Sequence, residues 1–301
     1  MSQTMLQLVQ QTAAELNLAI PTYVAGNTSQ DVQQILALMN GTGYDLVKEH
    51  DWQALQIQYR FYTQAINCNG TSVNGSTTLV IEPGVDITAV DSQWQVTGTN
   101  INQDTNVVSV SGQTITISQQ ASGTGTGAVV LAQTAYSLPP DFERITNRTQ
   151  WDKTKRWESL GPEDAQQWQW LKSGYISTGP RIRWRILDNQ YQIWPPMNTQ
   201  EYLGWEYRSK GFAKAADGTI KNSFTQDSDT TVLDDRIFVL GTKVKYWAIK
   251  GFDTTALIQE YQRYLSVAKA IDKGAPNLSF APYPSKVLIG YANIPDTGYG
   301  T

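Results

Sequence analysis

The sequence predicts an α+β protein with a helical body, a small β-meander and an inserted all-β barrel or sandwich module. Three observations predict this class. Apolar residues recur at helical spacing near both ends of the chain. Short β-branched runs fill the stretch between residues 78 and 131. No Lys or Arg occurs between Arg60 and Arg144, so this stretch differs in composition from the rest of the chain.

These patterns divide the chain into three parts. We expect a discontinuous body formed by residues 1–63 and 135–274, and a separate β module at residues 64–134. An extended C-terminal arm is expected at residues 275–301, because this stretch is rich in proline and glycine yet carries tyrosines. The 10 Trp, 15 Tyr and 7 Phe supply ample material for buried cores.

Five helices are predicted for the body. Thr28 and Asp31 resemble a cap for the second helix, the sequence from Gly161 to Asp164 starts a short third helix carrying Trp168, Trp170 and Leu171, and Asp253 or Thr254 caps the fifth. The predicted apolar faces of the four longer helices are Leu6, Val9, Ala13 and Leu16; Val32, Ile35, Leu36 and Met39; Ile237, Leu240, Val244, Trp247 and Ala248; and Leu257, Tyr261, Tyr264, Ala268 and Ile271.

Two groups of strands are predicted. A tight hairpin is expected at Ser111-Gly112 within the module, whose runs are Thr78–Ile81, Val85–Val90, Trp94–Thr97, Val107–Val110, Thr114–Ile117 and Ala128–Leu131. The meander is expected to turn at Asp188-Asn189 and to comprise Ile182, Trp184 and Ile186; Tyr191, Ile193 and Trp194; and Leu203, Trp205 and Tyr207. Its apolar residues should face a core, and Arg181, Arg183 and Arg185 should face outward.

Composition argues against several classes of function. The net charge of −4 and the pI of about 5.1 argue against tight binding of nucleic acid. With one cysteine (Cys68) and one histidine (His50), a disulfide within the chain and a Cys/His metal site are excluded. The N-terminus does not resemble a signal peptide, and no apolar run is long enough for a membrane span, so we expect a soluble protein made in the cytoplasm.

Candidate catalytic groups are few. His50 could serve a hydrolytic triad, but a helix-end histidine bonded to backbone is the simpler interpretation. The glycine-rich stretch Gly123–Gly127 lacks the lysine and the helix of a phosphate loop. Carboxylate pairs for sugar hydrolysis could be drawn from Glu158, Glu163 and Asp164, or from Glu201 and Glu206. Acidic residues at helix starts and exposed strands are common, so we predict no enzyme and no cofactor.

The strongest candidate for binding is a basic and aromatic stretch, Trp151–Trp157, in which Lys153, Lys155 and Arg156 lie between two tryptophans. Trp, Tyr and Arg concentrate in protein interfaces, although alternating cations and rings also bind single-stranded nucleic acid. The acidic total favours a protein partner, and the row of arginines is either a solvated strand face or an anchor for a neighbouring subunit. The predicted interface residues are Trp151, Lys155, Arg156, Trp157, Arg181, Arg183, Arg185, Tyr283, Tyr291 and Tyr299.

Several segments taken in order resemble the adaptor proteins of short-tailed phages, also called head completion or tail accessory proteins. Outside residues 64–134, the segments that carry the resemblance are His50–Leu55, Leu138–Ile145, Trp151–Trp157, Trp168–Gly174, Ile193–Pro196, Trp205–Lys210, Phe224–Thr230 and Leu233–Arg236. The module itself resembles β modules of phage structural proteins at Val96–Ile101, Val108–Gly112 and Ile115–Ser118. The shortest family members lack this module, so the family implies no role for it.

The resemblance implies a structural protein of the virion neck. In the family, a ring of about twelve copies binds the portal and presents its far face to the tail nozzle or tube. Genomic DNA passes through the lumen without specific binding, and the C-terminal arm reaches along the portal. Two other hypotheses stay open at this point: a tail tube or fibre-attachment protein, with a tail fibre as a possible partner, and a cell-wall hydrolase or sugar-binding module.

Overall fold

The chain is α+β, as the sequence predicts. The computed structural model describes residues 2–173 and 182–273. Its helices are α1 (Met5–Glu15), α2 (Gln30–Glu49), α3 (Ala165–Lys172), α4 (Asp235–Lys250) and α5 (Thr255–Lys273), with one 3-10 turn at Gln53–Leu55. Its strands are β1 (Gln56–Tyr62), β2 (Ala65–Ser72), β3 (Thr78–Ile81), β4 (Trp94–Gly98), β5 (Thr105–Ser111), β6 (Thr114–Ile117), β7 (Gly125–Gln133), β8 (Ala135–Ser137), β9 (Phe142–Ile145), β10 (Trp151–Asp152), β11 (Trp157–Glu158), β12 (Arg183–Leu187), β13 (Gln190–Trp194), β14 (Tyr202–Ser209), β15 (Ala213–Lys214), β16 (Ile220–Lys221) and β17 (Thr230–Thr231).

Helices α1, α2 and α4 share one core. A capping box starts α1, in which the Thr4 hydroxyl accepts from the Gln7 amide while the Gln7 side chain accepts from the Thr4 amide. The predicted faces are partly wrong: Leu6 and Leu16 lie at the edge of the buried stripe, and Ala248 is exposed. Since α4 contacts α1, α2 and α5, its first half is buried nearly all round. The buried residues of α1 and α4 are Met5, Leu8, Val9, Thr12, Ala13, Ile237, Phe238, Val239, Leu240, Gly241, Thr242 and Tyr246.

The N-cap residue of helix α2 is one position later than predicted. Ser29 is the N-cap residue, and its side chain makes no capping hydrogen bond, so the Thr28–Asp31 cap was wrong. Gly41 and Gly43 lie inside the helix without ending it. Gly43 has a packing role, because a Cβ there would come within 2.4 Å of Phe212 Cε2.

This close approach gives a matched pair of predictions. Gly43→Ala should lower the free energy of unfolding by about 2 kcal/mol, because the added methyl group overpacks the core against Phe212. Gly41→Ala should raise it by about 0.5 kcal/mol, since the new methyl meets only the flexible Lys245 ammonium group at 3.3 Å and alanine favours helix. Urea unfolding of both variants measures the difference, and equal stabilities would contradict the packing argument.

Helix α5 packs more loosely than its stripe predicts. Asp253 caps it by accepting from the Thr255 amide at 2.9 Å, as one of the two predicted caps would. Leu265 is its one buried apolar side chain among the described residues, with Tyr261 and Ala268 packed beside it. Tyr264 and Ile271 of the predicted stripe are exposed, because α5 lies at the edge of the body and contacts mainly α4. Within the described residues, no helix is both long and apolar enough to cross a membrane.

Two small sheets form a second, aromatic core. The first sheet has the order β1-β14-β10-β11, with β9 also paired to β14, and the second has the order β12-β13-β8. The predicted turn at Asp188-Asn189 joins β12 to β13, and both turn residues have positive φ. The predicted third strand of the meander was wrong: β14 pairs with β1 in the first sheet, while β8 takes the place beside β13. A third sheet, β16-β15-β17, lies beside the helical core.

The inserted module is a closed barrel of six antiparallel strands in the order β2-β3-β6-β5-β4-β7. Four of the predicted runs match strands, and the hairpin after Ser111 joins β5 to β6 through Gly112 and Gln113. A fifth predicted run, Val107–Val110, lies within β5, whereas residues 85–90 form a loop with a turn at residues 88–89 and not the predicted strand. Strand β2 was missed because Asn67, Asn69 and Thr71 alternate with small residues and weaken its apolar pattern.

Candidate partner interface

The outer face of the first sheet carries polar and aromatic side chains. Along β1, Ile57, Tyr59 and Phe61 pack in the aromatic core, whereas Gln58, Arg60 and Tyr62 point the other way. Tyr62, 57% exposed, stacks on Tyr202 of β14 with ring centroids 4.7 Å apart.

A hairpin formed by β10 and β11 extends this face. Trp151 pairs with both Gly204 of β14 and Glu158 of β11, so its ring lies on the outer side in line with Arg60. The hairpin tip is residues 153–156, held by the buried Asp152 carboxylate, which accepts from the backbone amides of Thr154 and Lys155 at 2.9 and 3.0 Å. We call residues 151–158 the basic hairpin.

A pocket of about 450 Å³ opens beside the basic hairpin. Arg148 and Arg156 line it from left-handed backbone conformations, with φ of 62° and 60°, which cost a residue such as arginine free energy. The Lys153 stem crosses the outer face over Gly204, where a Cβ would lie 2.6 Å from Lys153 Cε. The lining residues are Gln58, Arg148, Thr149, Trp151, Asp152, Lys153, Arg156 and Glu206. Three cations thus converge on one concave site beside a tryptophan.

Lys155 has a different role from its neighbours. Its ammonium group lies 3.0 Å from a Glu201 carboxylate oxygen, and the Glu201 side chain is buried. Burial raises the pKa of Glu201, but hydrogen bonds from Thr199 and Lys155 outweigh that effect and leave the pKa below its usual value. Lys155 therefore stabilises a buried charge of its own chain.

The two cations of the hairpin tip should respond to substitution in opposite ways. Lys155→Met should lower the free energy of unfolding by about 2 kcal/mol, because it leaves the Glu201 carboxylate without its charged partner. Arg156→Asn should raise it by about 0.5 kcal/mol, since asparagine tolerates the left-handed backbone better. Thermal unfolding of both variants measures these changes. A stability loss in Arg156→Asn would mean that this side chain holds the fold together.

The predicted row of outward arginines is corrected by the structure. A guanidinium nitrogen of Arg183 lies 2.8 Å from Glu163, and the Arg185 guanidinium lies 4.5 Å from the centre of the Trp168 ring on α3. Burial lowers the pKa of Arg185, which also donates to Gln192 at 3.0 Å. Both side chains are therefore covered by α3 and its preceding loop, so this strand face is not a solvated one.

Four predicted interface residues lie outside the described part of the chain. These are Arg181, Tyr283, Tyr291 and Tyr299, and their assignment to an interface stays a prediction. Of the described residues, Trp151 and Arg156 line the pocket, and Trp157 is exposed at the start of β11.

The candidate catalytic groups are engaged elsewhere. His50 ends α2, stacks edge-on against Trp52, and its Nε2 lies 3.4 Å from Asp272 of α5. Asp164 caps α3 by accepting from the Gln167 amide, and Glu158 lies 3.5 Å from Arg148. In residues 2–173 and 182–273, no group of three or more acidic, His or Cys side chains could hold a metal ion.

Four members of the candidate interface were missed by the sequence reasoning, namely Arg60, Tyr62, Arg148 and Tyr202. A signal existed for Arg60, because residues 56–61 alternate between polar and apolar in the manner of a half-buried strand. The others come together only through the pairing of β14 with β1 and β10, which no local pattern reveals.

Neither a protein-family model nor a curated protein matches this chain.

Proposed function

We propose that the chain is a structural head-to-tail adaptor of a tailed bacteriophage, forming a ring of about twelve copies between the portal and the tail nozzle or tube. One observation carries the proposal: segments that resemble the adaptor family, although distant in sequence, are neighbours in the fold. In the first sheet, Tyr207 of the segment Trp205–Lys210 pairs with Ile145 of Leu138–Ile145. Trp151 of a third segment pairs with Gly204, the residue directly before Trp205. Such a set of contacts is what a shared fold would preserve.

The surface chemistry supports a binding role. Cations and aromatic rings are the side chains that most often dominate protein interfaces, and the outer face of the first sheet combines them at Arg60, Tyr62, Trp151 and Arg156. The net charge of −4 suits a conduit that DNA crosses without being held. The function proposed is therefore assembly, with no catalytic step and no cofactor.

Binding to the portal tests the proposal directly. Purified chain mixed with the portal of the same phage should elute with it as one complex of fixed stoichiometry in gel filtration. Two proteins that elute separately at micromolar concentrations of both would overturn the adaptor function. A truncated chain lacking residues 275–301 is expected to keep its fold and lose the complex, because the resemblance assigns portal contact to this segment. Unchanged binding by the truncated chain would refute that assignment.

A tail tube or fibre-attachment protein is the second candidate. It is favoured by the barrel, which has its own core and a wide groove on its surface where a fibre could bind. Labelling of the chain in intact virions separates the two, because an adaptor must lie against the portal and a fibre-attachment protein must not.

A further inference from the structure

The charges of this chain are unevenly distributed between barrel and body. Residues 64–134 carry four acidic side chains, Glu82, Asp86, Asp91 and Asp104, and no Lys or Arg. The remaining residues carry 23 acidic and 23 basic side chains, so the barrel alone accounts for the net charge of −4. An acidic unit joined to a body with clustered surface cations makes two copies electrostatically complementary.

The acidic unit also has a concave surface. A groove of about 780 Å³ lies between β5 and the loop of residues 84–92. Val108 bulges out of the β5 ladder and is 57% exposed, and together with Val85 and Val110 it gives the groove apolar walls. Asp86 and Asp91 are exposed at this groove. Hydrogen bonds from the Thr88 hydroxyl and amide lower the pKa of Asp86, which keeps it charged.

The basic hairpin is the cationic counterpart on the body. Lys153 and Arg156 are exposed at its tip, and Trp157 beside them is 39% exposed. No acidic partner lies within 4 Å of Lys153 or Arg156 among the described residues. A tryptophan next to two exposed cations offers both the apolar area and the charge that a groove of valines and aspartates would bind.

We propose that the basic hairpin of one copy binds in the acidic groove on the barrel of a second copy. The two surfaces differ, so the contact is head-to-tail, and repetition of such a contact closes a ring when the rotation between copies allows it. The proposal deepens the adaptor function by naming the contact between neighbouring subunits, and in that sense it rests on the proposed ring.

Single-stranded nucleic acid is the competing ligand for the same cations. Two carboxylates oppose it, because Glu206 and Asp152 also line the hairpin pocket, and Lys155 is already paired with Glu201. The net charge would add repulsion at longer range. The same negative charges repel the aspartates of a second barrel, but apolar contact by Trp157 offsets part of that repulsion.

A zero-length cross-linker tests the contact in the unmodified protein. Equal amounts of isotopically light and heavy chain are treated with a carbodiimide, which joins an amine to a carboxylate only when the two touch. The expected product is a mixed light–heavy peptide linking Lys153 to Asp86 or Asp91. Links between other sites in the absence of this one would overturn the proposal.

Charge reversal tests the same contact through assembly. Lys153→Glu with Arg156→Glu makes one variant, and Asp86→Lys with Asp91→Lys makes the other. Each alone should self-associate at least about tenfold more weakly than the unmodified chain in sedimentation experiments at low salt. An equimolar mixture of the two, or a chain carrying all four changes, should recover association. If neither the mixture nor the fourfold variant recovers association, the contact between hairpin and groove is refuted.

Matched controls separate the contact from general charge and aromatic effects. Asp217→Lys reverses an exposed acid held in a similar turn by Thr219, on the body and away from the groove, and should leave association unchanged. Trp157→Ala should weaken association at least about tenfold, whereas Trp170→Ala on α3, also exposed, should not. An oligonucleotide that binds the unmodified chain and not the Lys153→Glu, Arg156→Glu variant would assign the hairpin to nucleic acid and overturn the proposal.

The portal assay distinguishes this inference from the proposed function. If both the adaptor function and the hairpin contact are correct, the charge-reversed variants should still bind the portal but should form no ring. Variants that assemble as full rings on the portal would refute the hairpin contact while leaving the adaptor function intact. Mixed light–heavy cross-links in a chain that never binds the portal would support the contact and refute the adaptor.

Discussion

Trp205→Ala is expected to lower the free energy of unfolding by about 4 kcal/mol. Trp205 is 1% exposed and lies where the first and second sheets face each other. Its ring centroid is 5.0 Å from that of Tyr59 and 5.5 Å from those of Tyr191 and Tyr207. Removing the indole leaves a cavity bounded by rigid aromatic rings from both sheets, and such rings cannot relax to fill it.

Denaturant unfolding followed by circular dichroism measures this loss. Trp170→Ala is the matched control, because Trp170 is 49% exposed on α3 and its removal should change stability by less than about 0.5 kcal/mol. A similar small effect for Trp205→Ala would mean that the two sheets do not share one core.

Asp229→Asn is expected to lower the free energy of unfolding by about 3 kcal/mol. Asp229 is 1% exposed and accepts from the backbone amides of Thr225 and Gln226 at 2.8 and 2.9 Å. Its oxygens also lie 2.9 and 3.1 Å from the Lys221 ammonium group. Asparagine offers one acceptor in place of two and leaves the Lys221 charge without a partner.

The same carboxylate predicts a pH dependence. Burial raises the pKa of Asp229, but its hydrogen bonds to Thr225, Gln226 and Lys221 outweigh burial and set the pKa below its usual value of 3.8. A carboxyl group with a lowered folded pKa stabilises the fold above its unfolded pKa and loses that contribution as pH falls through the folded value. Below about pH 4, the unmodified protein should therefore lose stability faster than Asp229→Asn.

Unfolding curves at pH 7 and at several lower values would measure this difference. Lys221→Met is the informative companion, because it removes the cation and keeps the backbone hydrogen bonds of Asp229. Parallel stability profiles for the unmodified protein and Asp229→Asn would show that Asp229 does not titrate differently in the folded state.

Local signals predicted the parts of this fold that depend on near neighbours. Asp188-Asn189 specified its turn because both residues tolerate positive φ. Apolar spacing from Ile237 onward predicted α4, whose start is also fixed locally, since the Asp234 side chain accepts from the Arg236 and Ile237 amides. The barrel followed from short runs separated by turn residues.

The parts of the fold that were not predicted depend on strand pairing between residues far apart in sequence. Strands β14 and β1 pair across about 140 residues, and nothing near Trp205 indicates that this strand leaves the meander. The candidate site was predicted in part for the same reason. Trp151, Arg156 and Trp157 were found because they lie within one short stretch of sequence, whereas Arg60 joins them only through the sheet. Helix α3 was predicted, but an alternating strand pattern does not show that this helix and its preceding loop pack against Arg183 and Arg185.

The barrel enters and leaves the body through β2 and β7, which are antiparallel neighbours with Ala65 opposite Ala132. The two connections between the barrel and the body therefore lie side by side. Replacing residues 64–134 by a short turn would join β1 to β8 without shifting the register of either, since β1 is fixed by β14 and β8 by β13. The barrel could thus be gained, exchanged or lost in a single evolutionary step, and a foreign domain could be inserted at the same two connections.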